Sequence, residues 1–388
     1  RRRQRQMCIR DRKSYLIVGF IIPFSFSITT VARPLLAVSL GIDKALLALI
    51  PLASNLAQIL FRPLFGSLSD RRGRRIFVVT ATILYYTGYL IQCLARTGLD
   101  IIIANFILGI GISMLWPALM AFSSDITKNV REEIGNLLTV AFLGSVFGYI
   151  LSGFSAELVG WRNTFMIASF LAIIGFIFAI LSIHDKIGEK PSRNLLASII
   201  QSYKIGVKVS TNVSSLGLRV LLNIYIPVIL VESGFSQSSA GLIITIGSIL
   251  NTAMQKPSSK LSRSKWFSIK LLNTMALIIV LLIGLAYYFG SIILLISLYI
   301  SYNISGGLLP TAQLSEVTEN TTERGSSTGG FGIALSTNRL IASNVASLGG
   351  SIQLSMPSIV VSLELATIAL FLLSLISFKT NKKNNKKS

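Results

Sequence analysis

The sequence predicts an all-α integral membrane protein of twelve transmembrane helices, arranged as two pseudo-symmetric six-helix bundles. Three observations predict it. The chain has 388 residues, of which 52% are hydrophobic and 13% charged, whereas a soluble protein carries about 25% charged residues. Its apolar runs reach the ~20 residues that a helix needs to cross a bilayer. Its Lys and Arg fall in short stretches between those runs, alternating in density from one loop to the next.

The runs fall at about 15–40, 45–66, 76–95, 99–123, 134–158, 163–183, 213–232, 238–255, 271–289, 290–312, 326–350 and 356–378. The bilayer core has no water to bond a peptide group, so such spans must be helices. A β-barrel needs strands of alternating polarity, and that pattern is absent. Orientation follows from the basic residues. With the N-terminus in the cytoplasm, cytoplasmic segments hold Lys13, four Arg in 71–75, Lys128, Arg131, Arg324, and five Lys or Arg in each of 186–208, 256–270 and 379–387. The opposite loops hold Lys44, Arg96 and Arg162. The asymmetry places both termini inside a plasma membrane. A net charge of +21 is thereby explained without nucleic acid as a partner.

Residues 1–12, RRRQRQMCIRDR, stand apart. Met7 to Arg12 reverse-translate to ATG TGT ATA AGA GAC AG, which resembles the transposon-end adapter of sequencing libraries. The segment is read as adapter-derived and set aside. The expected organisation is then a first bundle over 13–184, a cytoplasmic linker over 185–212, a second bundle over 213–379 and a basic tail over 380–388. In the linker, Leu195, Leu196, Ile199, Ile200 and Tyr203 share one helical face, as in a helix lying on a membrane surface.

The two bundles repeat. Pro34 and Gly41 recur as Pro227 and Gly234, and Pro117 recurs as Pro310, all at an offset of 193. Ser124-Asp125-Ile126-Thr127 recurs as Ser315-Glu316-Val317-Thr318. Substrate binding between two repeats that rock about it is a transporter's architecture. Other classes find little support. Cys8, Cys93 and His184 make neither a disulfide framework nor a metal site. Nearly acid-free spans leave no catalytic cluster for an intramembrane enzyme, and a nucleotide-binding loop is absent. No cofactor or metal is expected, and a non-transporting receptor is the remaining competitor.

Between spans two and three stands Gly66-Ser67-Leu68-Ser69-Asp70-Arg71-Arg72-Gly73-Arg74-Arg75. This closely resembles the G-x-L-x-D-R-x-G-R-R/K loop of the major facilitator superfamily. The resemblance implies a secondary carrier of small solutes, working as a monomer, with or without a coupling ion. It also implies a gate in which Asp70 and Arg74, with Asp125 at the end of span four, lock the two halves, while Gly66 and Gly73 permit close approach and Arg71 completes the motif. The second half carries Arg263 where Asp70 stands, so the lock is one-sided. Antiporters of the family carry G-x8-G-x3-G-P-x2-G-G in span five. Gly135, Gly144, Gly148 and Gly153 keep that spacing, with Tyr149 for the Pro and Ser152 for a Gly. These glycines favour export of drug-like compounds or metabolites; import or facilitated diffusion of an organic anion is the alternative. Small residues also serve plain helix packing.

The family's lining helices are spans one, four, seven and ten. They offer Arg33, Asn105 with Trp116, Arg219 with Asn223, and Tyr299 with Asn303 as substrate-cavity candidates. Arg33 and Arg219 each lie near a span end, close enough to snorkel to an interface. Arg339, about midway along span eleven, and Glu364 of span twelve are at comparable depth and are expected to form an ion pair; an anion or proton site is the functional alternative.

Overall fold

The computed structural model describes residues 2–126, 130–183, 195–254, 269–319, 324–350 and 357–384. Among these the chain is helical, with no strand. The helices are α1 (Arg2–Ile28), α2 (Ala32–Ser39), α3 (Leu49–Arg72), α4 (Arg75–Leu94), α5 (Gly98–Asp125), α6 (Val130–Leu158), α7 (Trp161–Ser182), α8 (Leu195–Ser210), α9 (Leu218–Glu232), α10 (Gln237–Ala253), α11 (Ile269–Tyr288), α12 (Ile292–Glu319), α13 (Arg324–Gly350) and α14 (Ser358–Asn384). Each of the twelve expected spans coincides with a helix, and α8 occupies the linker. Nine helices among the described residues are long and apolar enough to cross a membrane. A 3-10 turn, Lys44–Ala48, precedes α3, and another, Ser214–Gly217, precedes α9. On α8, Leu196 and Ile200 of the expected apolar face are exposed.

Local chemistry sets the helix ends. Asp100 accepts the backbone N–H groups of Arg96 and Thr97, each at 2.9 Å, and so fixes the start of α5. The first span of each half ends in the same way. Gly41 follows α2 at φ +85° and Gly234 follows α9 at φ +91°. Their N–H groups return to Val38 O and Val231 O, a left-handed C-terminal cap that glycine adopts without a Cβ penalty. Gly73, at φ +96°, makes the sharp reversal from α3 to α4.

The chain forms two compact units. The first comprises Arg1–Gly41, Leu56–Ile199 and Ser236–Leu242; the second comprises Ile42–Asn55, Ile200–Phe235 and Ile243–Ser388. Each unit therefore incorporates a short segment from the other half of the sequence, and each exchange begins just after one of the two capping glycines. In the second unit, the Lys44–Ala48 turn packs on α13, α14 and α9, and Lys44 Nζ pairs with Glu232 at 2.5 Å. In the first, Glu157 accepts the Ser238 N–H at 2.9 Å and Trp161 Nε1 donates to Gln237 Oε1 at 3.0 Å.

The core of the first unit is α1 against α6 and α7, and α4 against α5 and α7. The glycines of α6 explain the closeness. A Cβ on Gly144 would strike the Phe20 carbonyl, and one on Gly148 would come 2.7 Å from Phe24 O. Gly153 does the same against the Gln237 backbone. Gly135 is the exception: a Cβ there meets nothing within 4 Å, so it is not a packing glycine. It lies near the start of α6 and is exposed.

Candidate functional site

Outside the loops and residues 1–12, four arginines remain: Arg33, Arg62, Arg219 and Arg339. A membrane cation costs about 2.5–3.5 kcal/mol or more at mid-depth and marks a functional position by default. Two fall in each unit. Arg33 and Arg62 both act electrostatically on Tyr85, and Arg219 and Arg339 both act on Tyr302. Both tyrosines are buried.

In the first unit the site grows from a break in span one. Pro34 has no N–H to bond back to Thr30 O, and its ring crowds that carbonyl. The β-branched run Thr29-Thr30-Val31 is a poor helix former, and the Thr29 hydroxyl bonds the Phe26 carbonyl at 2.8 Å. The helix therefore stops at Ile28 and restarts at Ala32. Arg33 sits one residue into the restart and is 5% exposed. It turns back towards α1 instead of snorkelling. Its Nη2 donates to Thr29 Oγ1 at 2.5 Å, its Nε reaches Gln92 Oε1 at 3.5 Å, and its guanidinium lies 4.6 Å above the Phe26 ring, a cation–π distance. Ser25 Oγ and Tyr89 OH are 3.2 Å apart beside it, and Tyr85, Tyr89 and Tyr149 are its titratable neighbours. The described acids of this unit are engaged elsewhere: Asp100 caps α5, Glu133 accepts Tyr15 OH at 2.7 Å, and Glu157 caps Ser238.

In the second unit, Arg219 Nη1 donates to Asn251 Oδ1 at 3.0 Å. Asn251 Nδ2 donates in turn to Asn303 O at 2.9 Å, and Asn303 Nδ2 returns to Tyr299 O at 3.0 Å. Gly247 admits the Asn303 side chain, since a Cβ there would meet Asn303 Nδ2 at 2.8 Å, and Gly307 lets its helix approach the Asn251 backbone. Asn338, Asn273 and Tyr302 pin the turn ahead of α9. Asn338 Nδ2 donates to Ser210 O and Val213 O, Asn273 Oδ1 accepts Ser215 N–H, and Tyr302 OH donates to Ser215 O at 2.8 Å.

Of the residues chosen from sequence, the structure joins Arg219, Tyr299 and Asn303 in this network. Asn105 spends its amide on Ile101 O of its own helix at 2.8 Å. Trp116 and Asn223 are half-buried. Arg339 and Glu364 do not form the expected ion pair. Glu364 Oε1 lies against Gly284 of α11 and has no hydrogen-bond partner, while Arg339 acts electrostatically on Tyr302. Equal depth along two helices leaves their rotation open, and the rotation turns the two charges to different neighbours. In the loop after α3, Arg74 Nη1 donates to Ser69 Oγ at 3.1 Å, and Arg71 is exposed. Gly66 meets Pro117 at an ordinary 3.7 Å. The side chains of Asp70 and Asp125 lie outside the described residues. Sequence reasoning passed over Gln92, Asn251, Asn273 and Asn338, although a lone amide in an apolar span was the available signal.

These features define a multi-pass helical membrane protein with an internal repeat and two arginines within the spans of each unit, of which Arg33 is buried. The family model described as Major Facilitator Superfamily matches residues 15–343, and the chain belongs to that family. Among curated relatives, the quinolone resistance protein NorA of Staphylococcus aureus (strain MSSA476) is 25% identical over 249 residues, 62% of each chain. Multidrug resistance protein 1 of Bacillus subtilis (strain 168) is 24% identical over 255 residues, again 62% of each. The matches thus span about three-fifths of these relatives' length. Among solved structures, a point mutant of the nucleoside transporter NupG gives a TM-score of 0.73 at 13% identity, covering 96% of this chain and 99% of that one. A D-xylose–proton symporter gives 0.69 at 14% identity, covering 93% and 96%. At such identities the structures speak to the fold.

Proposed function

We propose that the chain is a secondary transporter that exports small drug-like compounds or metabolites by alternating access of its two six-helix halves, 13–184 and 213–379. The observation that carries this reading is family membership together with relatives named for quinolone and multidrug resistance. The span-five glycines support it, since Gly144 and Gly148 bring α6 onto the backbone of α1. The protein works as a monomer in the plasma membrane with both termini cytoplasmic. Asp70, Arg74 and Asp125 lock the cytoplasmic ends in the outward-open state, with Gly66 and Gly73 allowing the approach. Arg33, Asn105, Trp116, Arg219, Asn223, Tyr299 and Asn303 line the solute path. Import of a small organic anion is the second reading, favoured by the buried Arg33. The test is flux of a quinolone and of a small carboxylate in proteoliposomes, with and without an imposed proton gradient. Quinolone movement out of the cytoplasmic side supports export; carboxylate uptake alone supports the second reading, and neither in any condition refutes both.

A further inference from the structure

Arg33 holds more hydrogen-bond donors than its surroundings can accept. A guanidinium carries five N–H donors. Two are engaged, one by Thr29 Oγ1 and one, at 3.5 Å, by Gln92 Oε1. Gln92 is fully buried, and its Nε2 has no hydrogen-bond partner. Turning the amide over brings no relief, because it would set an NH2 group against the cation; Arg33 itself decides which way Gln92 points. Three N–H groups of Arg33 and the two of Gln92 are therefore left beside one positive charge. The surrounding groups are Phe26 of α1, Thr29 of the break, Tyr85 and Tyr89 of α4, and Tyr149 of α6, with no carboxylate among the described residues. The second unit differs, since Arg219 there already has the Asn251 carbonyl oxygen as acceptor. A buried donor pair keeps its geometry at low cost only when an acceptor comes to it.

We infer that Arg33 and Gln92 form an anion subsite that receives the carboxylate, or an equally compact anionic group, of the transported solute. The inference rests on the transport function proposed above for what is bound, and its test separates the two.

The whole chain, purified in a neutral detergent, is titrated with benzoate and with its uncharged counterpart benzamide, and thermal unfolding is followed. Benzoate is expected to raise the unfolding temperature at concentrations at least tenfold below those at which benzamide does. Arg33→Gln should weaken the benzoate response at least tenfold. Gln92→Glu places a carboxylate against Arg33; it should raise the unfolding temperature without ligand and abolish the response to benzoate. Should Arg33→Gln fail to fold, Gln92→Glu decides alone. Equal action of benzoate and benzamide, a benzoate response that survives Arg33→Gln, or a lower unfolding temperature in Gln92→Glu overturns the subsite. A parallel titration with phosphatidylglycerol tests a lipid headgroup as the anion; Arg33-dependent stabilisation by the lipid that benzoate cannot displace overturns the assignment to solute. Arg33-dependent stabilisation in a protein that moves no solute in vesicles removes the transport reading and leaves the subsite. Flux of a carboxylate solute that is indifferent to Arg33→Gln does the reverse.

Discussion

The first and seventh spans carry a proline and a glycine at the same spacing, yet they do different things. Both end in a glycine with positive φ, Gly41 and Gly234, after which the chain enters the other compact unit. Pro34 follows a break in the helix, whereas Pro227 lies within a continuous α9. Proline alone does not decide this. Span one adds a β-branched Thr-Thr-Val run and a hydroxyl that bonds back to the helix; span seven has Leu222, Asn223 and Ile224 at the matching place, with Leu222 and Ile224 packed in the core. The consequence is chemical. The break holds a buried arginine with unspent donors, while the arginine of span seven is held by an asparagine network. Shared backbone punctuation has thus been kept while the polar content of the two units has diverged.

The largest effect expected bears on how span one is held. Gly144→Leu pushes a side chain into the Phe20 backbone and should cost about 3 kcal/mol or more, read as a loss of several degrees in unfolding temperature. Gly135→Leu, where a Cβ meets nothing, should change it by less than about 0.5 kcal/mol. Equal effects would break the distinction between packing and non-packing glycines of span five. In the second unit, Asn251→Ala removes the acceptor of Arg219 and the donor to Asn303 O. The expected loss is about 1–3 kcal/mol, also read by unfolding; no loss would mean that the network is incidental.

Asp70→Asn sharpens the comparison between the two cytoplasmic loops. Loss of ~1.4 kcal/mol from one state changes a two-state ratio about tenfold. The variant should favour the inward-open state and slow turnover, with expression unaltered, while Arg263→Gln at the matching place should do neither. Cysteine accessibility of a cytoplasmic cavity position in a Cys93-free background measures this, and unchanged labelling in Asp70→Asn removes the gate. The smallest effect concerns Glu364. A buried ion pair with Arg339 would make Glu364→Gln cost about 3–5 kcal/mol. With Glu364 Oε1 unpartnered against Gly284, the substitution should change stability by less than about 0.5 kcal/mol or raise it.

What the amino-acid sequence determined by itself is whatever depends on composition and on spacing along one helix. The twelve apolar runs, the Pro–Gly repeat, the loop from Gly66 to Arg75 and the presence of a linker helix at α8 were all legible, because hydrophobic length and glycine backbone freedom act locally. Only the tertiary structure decided which way each polar side chain faces. Depth counting placed Arg339 level with Glu364, but rotation about two helix axes separates them. Arg33 stood near enough to a span end to snorkel, but the break at Thr29–Val31 folds it back onto Gln92. Gln92 gave no signal beyond being one amide in an apolar run, and its unpaired Nε2 arises from packing three helices around a cation. A residue's number along a chain sets its depth, while its partners depend on helix rotation and kinks, which are fixed by contacts between residues far apart in sequence.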